Sequence, residues 1–356
     1  MLNSAIFTIL KHYNNTASSN HEEFSKFCHD DWVDLYKTST KQGVSAIAYN
    51  TISTLPKDIA LPRDIKLRWA LHSEAIEKRG QQQLLLANTL CDMLKAEGIN
   101  TVVLKGIGLS IYYPQPLHRE CGDFDCYLFE DYTKGLKIAV ENGAIMDHED
   151  YKHAQIRFKT LNVEIHKHLT SYRGERLKHE FENTLVEMLK NRECKPIGNN
   201  SNILIADPTF KACFVIYHTL FHFLFESVKI RHILDWLFLV KAESQNIDWD
   251  IVIKVCEKHK MLKFAEAMTA ICKTYLGLEV SIPITDNSEY RDKILNDIMS
   301  DVDSVSKKKG WNRRIQLLKN TYKSRWKYKI IGSSFTEDII KRMFYIIFSN
   351  DKLKTT

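Results

Sequence analysis

The chain has eight cysteines (Cys28, Cys91, Cys121, Cys126, Cys194, Cys213, Cys256 and Cys272) but no C-x-x-C pair. That sets aside a zinc ribbon and a thioredoxin-type redox motif. It also lacks an apolar run long enough for a bilayer, which takes roughly 20 residues. The most apolar segment, Phe210 to Phe225, carries His218 and His222 and stops at Glu226. The opening residues, MLNSAIFTILKHYNN, hold an apolar stretch of about eight residues with no basic lead and no small-residue cleavage site, so no signal peptide is read. There is no internal repeat and no low-complexity linker. What remains is the profile of a soluble globular chain: 356 residues, 44% hydrophobic and 26% charged, with net charge +6. Scattered cysteines in apolar surroundings read as reduced core thiols and imply a cytoplasmic protein. The mild basicity does not by itself imply a nucleic-acid partner.

Four regions follow from composition and period. Residues 1–98 read as an N-terminal helical region, with one or two long helices from Arg63 to Glu97 and Gly98 as a C-cap. Residues 99–205 change period and interleave short strands with helices, an α/β core. Residues 206–280 read as helices only, opened by Asp207 as N-cap and Pro208 at the first helical position. Residues 281–356 form a basic helical C-terminal region. The expected fold class is α+β: a small mixed sheet flanked by helical regions.

The chemistry concentrates in TVVLKGIGLSIYYPQPLHRECGDFDCYLF, Thr101 to Phe129. A strand-like run ends at Lys105-Gly106, a short helix follows, and the chain returns through Arg119 and Gly122 into Asp123-Phe124-Asp125. On a strand, Asp123 and Asp125 point the same way, about 6.5–7 Å apart at Cα. Such a pair holds one or two Mg²⁺ ions, and a two-metal site activates an attacking oxygen and neutralises a leaving pyrophosphate. Alone, a D-x-D is weak and occurs on solvated strands and turns. Lys105-Gly106 strengthens it, because a turn into a helix offers backbone N–H groups to phosphates. Lys105 adds a charge, Ser110 a hydroxyl, and Arg119 a cation for a triphosphate or for the carboxylates. Glu164 lies on an alternating strand beside His166, opposite Val163 and Ile165, and supplies a third carboxylate. The plainer alternative for Glu164 and His166 is the exposed face of an edge strand.

These residues resemble the uncharacterised nucleotidyltransferases of the polymerase-β-like superfamily, which are often found in bacterial polysaccharide loci. The resemblance rests on the strand, Lys105-Gly106, the short helix, the Pro-containing turn, Arg119, Gly122-Asp123-Phe124-Asp125, and Val163-Glu164-Ile165-His166. It extends through Arg231-His-Ile-Leu-Asp235-Trp236 and covers about residues 85 to 278. The Lys-Gly and Asp-x-Asp portion is also similar to abortive-infection type toxin nucleotidyltransferases. The resemblance implies transfer of a nucleoside monophosphate from a nucleoside triphosphate to an acceptor, with loss of pyrophosphate. By the same resemblance Asp123, Asp125 and Glu164 would be the catalytic residues and bind Mg²⁺, two ions being implied. Lys105, Gly106, Ser110, Arg119, Arg231 and Asp235 would contact the nucleotide. The acceptor stays open: small molecule, sugar, protein or RNA. One departure stands out. The superfamily commonly has Gly-Ser or Gly-Gly at the phosphate turn, and here it is Gly106-Ile107-Gly108.

Three features have a plain reading beside a functional one. Arg231 and Asp235, four residues apart, share a helix face and form either an intrahelical ion pair or part of the site. His218 and His222 share a face too, but Thr-Leu-Phe between them lacks the glutamate of a zincin, and they read as satisfied histidines of a core helix. The tail 306–342 interleaves ten cations (Lys307, Lys308, Lys309, Arg313, Arg314, Lys319, Lys323, Arg325, Lys327 and Lys329) with Trp311, Tyr322, Trp326 and Tyr328. It reads as the solvated side of amphipathic helices, with a nucleic-acid backbone or an anionic membrane surface as the alternatives. The apolar stretch Met343 to Phe348 is expected to dock on the body. Two functional rivals remain open: a toxin-like modifier of tRNA or protein, and a non-catalytic nucleotide-binding regulator.

Overall fold

The structure is a computed structural model and describes residues 2–14, 22–56, 59, 61–170, 176–199, 201–286, 289–300, 319 and 323–332. Most of the basic tail, including Trp311 and Tyr322, and the stretch Met343 to Phe348 lie outside these residues. The fold is α+β, as the interleaved periods imply.

Four helices come first: α1 (Leu2–Asn14), α2 (His29–Lys41), α3 (Ser45–Ile52) and α4 (Arg63–Ala96). The long apolar pattern forms one continuous helix, α4, closed by Gly98 at φ +81°, a conformation glycine adopts at no steric cost. Next come β1 (Thr101–Val103), α5 (Ile107–Ser110), β2 (Phe124–Tyr127), α6 (Tyr132–Glu141), β3 (Ile145–Glu149), β4 (His153–Phe158), β5 (Leu161–His166), α7 (Arg176–Asn191), β6 (Lys195–Pro196) and β7 (Ile203–Ile205). The helices α8 (Pro208–Phe225), α9 (Ile230–Glu243), α10 (Trp249–Lys258), α11 (Leu262–Leu276), α12 (Arg291–Met299) and α13 (Arg325–Ile330) complete the described chain. The Asp207 side chain caps α8 by accepting the Thr209 N–H at 2.9 Å, with Pro208 following it.

The seven strands form one mixed sheet in the order β3-β4-β5-β2-β1-β7-β6. β2 runs parallel to β5 and antiparallel to β1. Period-two alternation divides the sheet's faces. Phe124, Cys126, Val163, Ile165, Ala154 and Ile156 pack into one apolar cluster with Leu86, Leu90 and Leu94 of α4. The other face carries Asp125, Glu164, His166, His153 and Gln155. β5 is therefore an inner strand, flanked by β4 and β2, and the edge-strand alternative for Glu164 and His166 falls away. His166 is 1% exposed.

A second, larger cluster joins the N-terminal helices to the C-terminal ones. Ile9 and Trp32 share it with Trp69 of α4, Phe238 of α9 and Ile271 of α11. α4 thus runs from the helical body to the back of the sheet and fixes one against the other. The cysteines read as core thiols largely are: Cys91, Cys126, Cys213, Cys256 and Cys272 are free and buried. No helix among the described residues is long and apolar enough to cross a membrane. The described part of the tail corrects the solvated reading for one residue. Lys327 is buried, donating from Nζ to the Phe223 carbonyl and to Asp297, while Trp326 meets Phe223 edge-on.

Candidate functional site

The turn after β1 builds the floor of the site. Gly106 has φ +61°, a region disfavoured for residues with a Cβ. A Cβ there would lie 3.3 Å from the Asp123 carbonyl oxygen and 3.9 Å from Arg119 Nη1. Gly108 serves packing: a Cβ at that position would meet Val103 Cγ1 at 2.7 Å, so α5 can approach β1 only with glycine there. Ile107 turns away from the site and into the cluster behind the sheet, 7% exposed. The departure at 107 therefore places its side chain in the core and away from the Lys105–Gly106 turn. Ser110 bends its hydroxyl back to the Ile107 carbonyl at 2.8 Å, within its own helix.

Asp125 and Glu164 are register partners on the parallel pair β2–β5. Asp123 immediately precedes β2. Lys105 Nζ lies 3.0 Å from Asp125 Oδ1 and 3.8 Å from Asp123 Oδ2. On the far side His166 Nε2 lies 3.1 Å from the same Asp125 Oδ1 and 3.7 Å from Glu164 Oε2. The His166 Nδ1 stands 3.2 Å from the His168 carbonyl. Each ring nitrogen of His166 thus stands within hydrogen-bond reach of an oxygen. Asp125, Glu164 and His166 bring their ligand atoms within 4.8 Å of one another.

The electrostatics follow from this crowding. Burial pushes the Asp125 carboxyl up, but Lys105 and the His166 hydrogen bond outweigh it and hold Asp125 below the ordinary carboxylate value. Glu164 is likewise pushed up by burial and pulled down by His166 and Lys105, to about 2. Asp123 moves the other way, raised by the charge of Asp125 and by burial. Lys105 is opposed by burial yet raised by Asp125, Asp123 and Glu164. Three carboxylates thus share one well-held ammonium. Asp125 Oδ2 is buried without a hydrogen-bond partner among the described residues.

The other expected residues divide. Arg231 is brought to the site: its charge acts on Asp123, it donates to the Glu120 carbonyl, and its Nε is buried without a partner among the described residues. With Arg79, Gln83 and Gly122 it lines a cavity of about 140 Å³ beside Asp123. The intrahelical Arg231–Asp235 ion pair is not formed. Asp235 instead binds Arg119 through both carboxylate oxygens, Nε–Oδ1 at 2.7 Å and Nη2–Oδ2 at 2.8 Å, and takes the Tyr113 hydroxyl as well. Arg119 and Asp235 are committed to each other beneath the turn.

Sequence reading passed over two neighbours from β4 and the residue before it. β4 pairs antiparallel with β5, setting Gln155 opposite Glu164 and His153 opposite His166. Gln155 Nε2 donates to Glu164 Oε1 at 3.1 Å, and His153 Nε2 lies 3.6 Å from the same oxygen. Lys152 is half-buried within the fields of Asp125, Glu164 and Glu226, with burial depressing its ammonium. The alternation His153, Gln155, Arg157 was the available signal, since it marks a polar face next to Glu164.

No curated protein and no solved structure matches the chain. A family model does, over residues 29–277, which is more than half of the chain and includes the helices α2 to α4 ahead of the strand–turn motif. Its family is described as uncharacterised nucleotidyltransferases, and the match spans the carboxylates, the Lys105–Gly106 turn and the α9 arginine together. The chain belongs to the uncharacterised nucleotidyltransferase family.

Proposed function

We propose that the protein moves a nucleoside monophosphate from a nucleoside triphosphate to an acceptor hydroxyl and releases pyrophosphate, in a Mg²⁺-dependent reaction. The observation that carries this reading is Asp125. Its Oδ2 is buried and unpartnered among the described residues, and Glu164 stands beside it on the next strand. A buried acceptor left unmade costs about 1–3 kcal/mol, more for a charged group. A hard cation repays that cost, and carboxylate oxygens are the donors Mg²⁺ prefers. Asp123, Asp125 and Glu164 would hold the ions, with His166 Nε2 within reach. Bound Mg²⁺ supplies charge neutralisation of the triphosphate and a lower pKa for the acceptor hydroxyl.

The chain's own groups do the rest. Glu164, with its carboxyl at about 2, stays ionised at neutral pH and would lie near the incoming acceptor. Lys105, now beside Asp125 and Asp123, would offer its ammonium to the phosphates once those carboxylates held cations. Gly106 lets the phosphate chain approach the backbone. Arg231 beside Asp123 offers a guanidinium to the departing pyrophosphate. Arg119, which also lines the cavity beside Asp123, is held by Asp235 and would act on the turn rather than on substrate.

The test is to incubate the protein with each α-labelled triphosphate and Mg²⁺, alone and with total RNA or lysate, beside Asp125→Asn. Label transfer that the variant lacks supports the reading. Label on RNA or protein would favour the toxin-like modifier. Mg²⁺-dependent nucleotide binding with no transfer under any condition would favour the regulator, and absence of both would overturn the proposal.

A further inference from the structure

His218 and His222 are both half-buried on α8. The charge of Lys105 reaches His218, His232 and Glu226, and that of Lys152 reaches His218 and Glu226. His218 Nε2 and His222 Nε2 lie 3.0 Å apart. The His222 Nδ1 is paired with the Glu226 carboxylate at the end of α8. A carboxylate on one ring nitrogen fixes the tautomer and leaves the other nitrogen's lone pair free, the arrangement that orients histidine ligands in metal sites.

His232 joins from α9, and the three rings bring one ligand atom each within 4.8 Å of one another. Its Nδ1 accepts the Lys229 N–H at 2.9 Å, so a neutral His232 carries its proton on Nε2. It enters as a hydrogen-bond donor to an ion-bound water, and the lone pairs come from His218 and His222. Burial, with Lys105 and the neighbouring rings, holds His218 and His232 well below the ordinary imidazole value. The neutral ring is the form that ligates a metal.

We propose that His218 and His222, with Glu226 behind and His232 alongside, form a second cation site that takes a borderline divalent transition metal of the Zn²⁺ class. The surrounding charges set that class. Lys105, Lys152, Arg119 and Arg231 oppose any ion held by charge alone, and Glu226 supplies one compensating negative charge. A hard ion such as Mg²⁺ gains little from imidazole, whereas Zn²⁺, Co²⁺ and Ni²⁺ bind nitrogen lone pairs strongly. This site shares no residue with the carboxylate cluster and does not depend on the transferase reading.

The test uses the full chain, stripped with a chelator and titrated with Zn²⁺ and Co²⁺ in excess Mg²⁺ to occupy the oxygen ligands. One ion per chain is expected, with a Co²⁺ visible spectrum showing nitrogen ligation. His218→Ala and His222→Ala should lose it, and Glu226→Gln should weaken it by about 10–100-fold, as loss of an orienting carboxylate does. Unchanged affinity in both histidine variants overturns the site. So does an ion that Mg²⁺ displaces or that only Asp125→Asn removes, since it then belongs to the carboxylates. Should the alanine variants fail to fold, the histidine NMR signals of the unaltered protein decide. Zn²⁺ must shift those of His218 and His222, and unmoved signals overturn the proposal.

Discussion

Arg119 and Asp235 form a two-pronged ion pair, each side chain 5% exposed, between the segment leading into β2 and helix α9. The Tyr113 hydroxyl donates to the same Asp235 oxygen at 2.7 Å. The pair thus joins the strand that carries the carboxylates to the helix that carries Arg231 and His232.

Removing one partner of a buried pair strands the other charge and costs about 3–5 kcal/mol. Arg119→Ala is therefore expected to lose stability of that order in urea unfolding. Arg119→Lys should fall between, because an ammonium keeps the charge but not the planar fork. Nucleotide affinity of the folded protein, measured by titration, should change little in Arg119→Lys. A large loss of affinity at unchanged stability would instead make Arg119 a substrate contact.

The two glycines that follow Lys105 separate strain from packing. Gly106→Ala forces a Cβ into a positive-φ conformation, at about 1–3 kcal/mol, and against the Asp123 carbonyl. It should weaken triphosphate binding as well as stability, with no relief from any change at Val103. Gly108→Ala overpacks α5 on β1 at about 1–3 kcal/mol. Val103→Ala in the same chain should recover much of that, because the collision is with Val103 Cγ1. Paired unfolding and nucleotide titrations of the three variants check both statements.

Much of this site could be read in the chain, because alternation and turn chemistry are local. The Asp123-Phe124-Asp125 entry to β2, the alternation of Val163-Glu164-Ile165-His166, and the Asp207-Pro208 start of α8 all appear where their residue types imply. Local patterns assign a face but not a neighbour. That β5 pairs with β2, setting Glu164 beside Asp125, is decided by packing across the intervening β3–β4 hairpin. For the same reason Gln155 and His153 were missed, and Arg119 was not matched to an aspartate 116 residues away. Ile107 looked like an obstacle at the phosphate turn because sequence does not show that its side chain points into the core. Nor does the local pattern show that α9 brings His232 to the histidine pair of α8.

Lys211 gives the fold a pH signature away from the carboxylates. It is 3% exposed on α8, next to the Tyr112 hydroxyl that follows α5, and burial pushes its ammonium down to about 8 from 10.5. Between those values the unfolded chain binds more protons than the folded one, so stability should rise with pH from about 8 to 10.5. Below pH 8 both states are protonated and the full penalty, on the order of 3 kcal/mol, applies. Lys211→Met removes the charge and keeps most of the volume. Its unfolding free energy should exceed that of the unaltered protein most at pH 7, and the gap should narrow by pH 10. A gap independent of pH would mean that the folded ammonium titrates where the unfolded one does, its burial offset by its neighbours.

The last prediction concerns Lys105 and Asp125, 3.0 Å apart with Asp125 fully buried. Lys105→Met leaves Asp125 with His166 as its nearest hydrogen-bond partner and Asp123 repelling it. Asp125→Asn leaves the ammonium to Asp123, which is more weakly held. Each single change should destabilise by about 3–5 kcal/mol in metal-free buffer, where nothing else neutralises the survivor. The double variant should be less destabilised than the sum, because neither charge is left alone. Mg²⁺ should then sort the variants. It can replace the lysine's charge at Asp125 and restore Lys105→Met, whereas Asp125→Asn has lost the oxygen that would hold it. Stability of Lys105→Met that rises with Mg²⁺, against Asp125→Asn that does not respond, is the expected pattern. Equal responses of the two variants would mean that Asp125 holds no cation, and would remove the observation on which the proposed reaction rests.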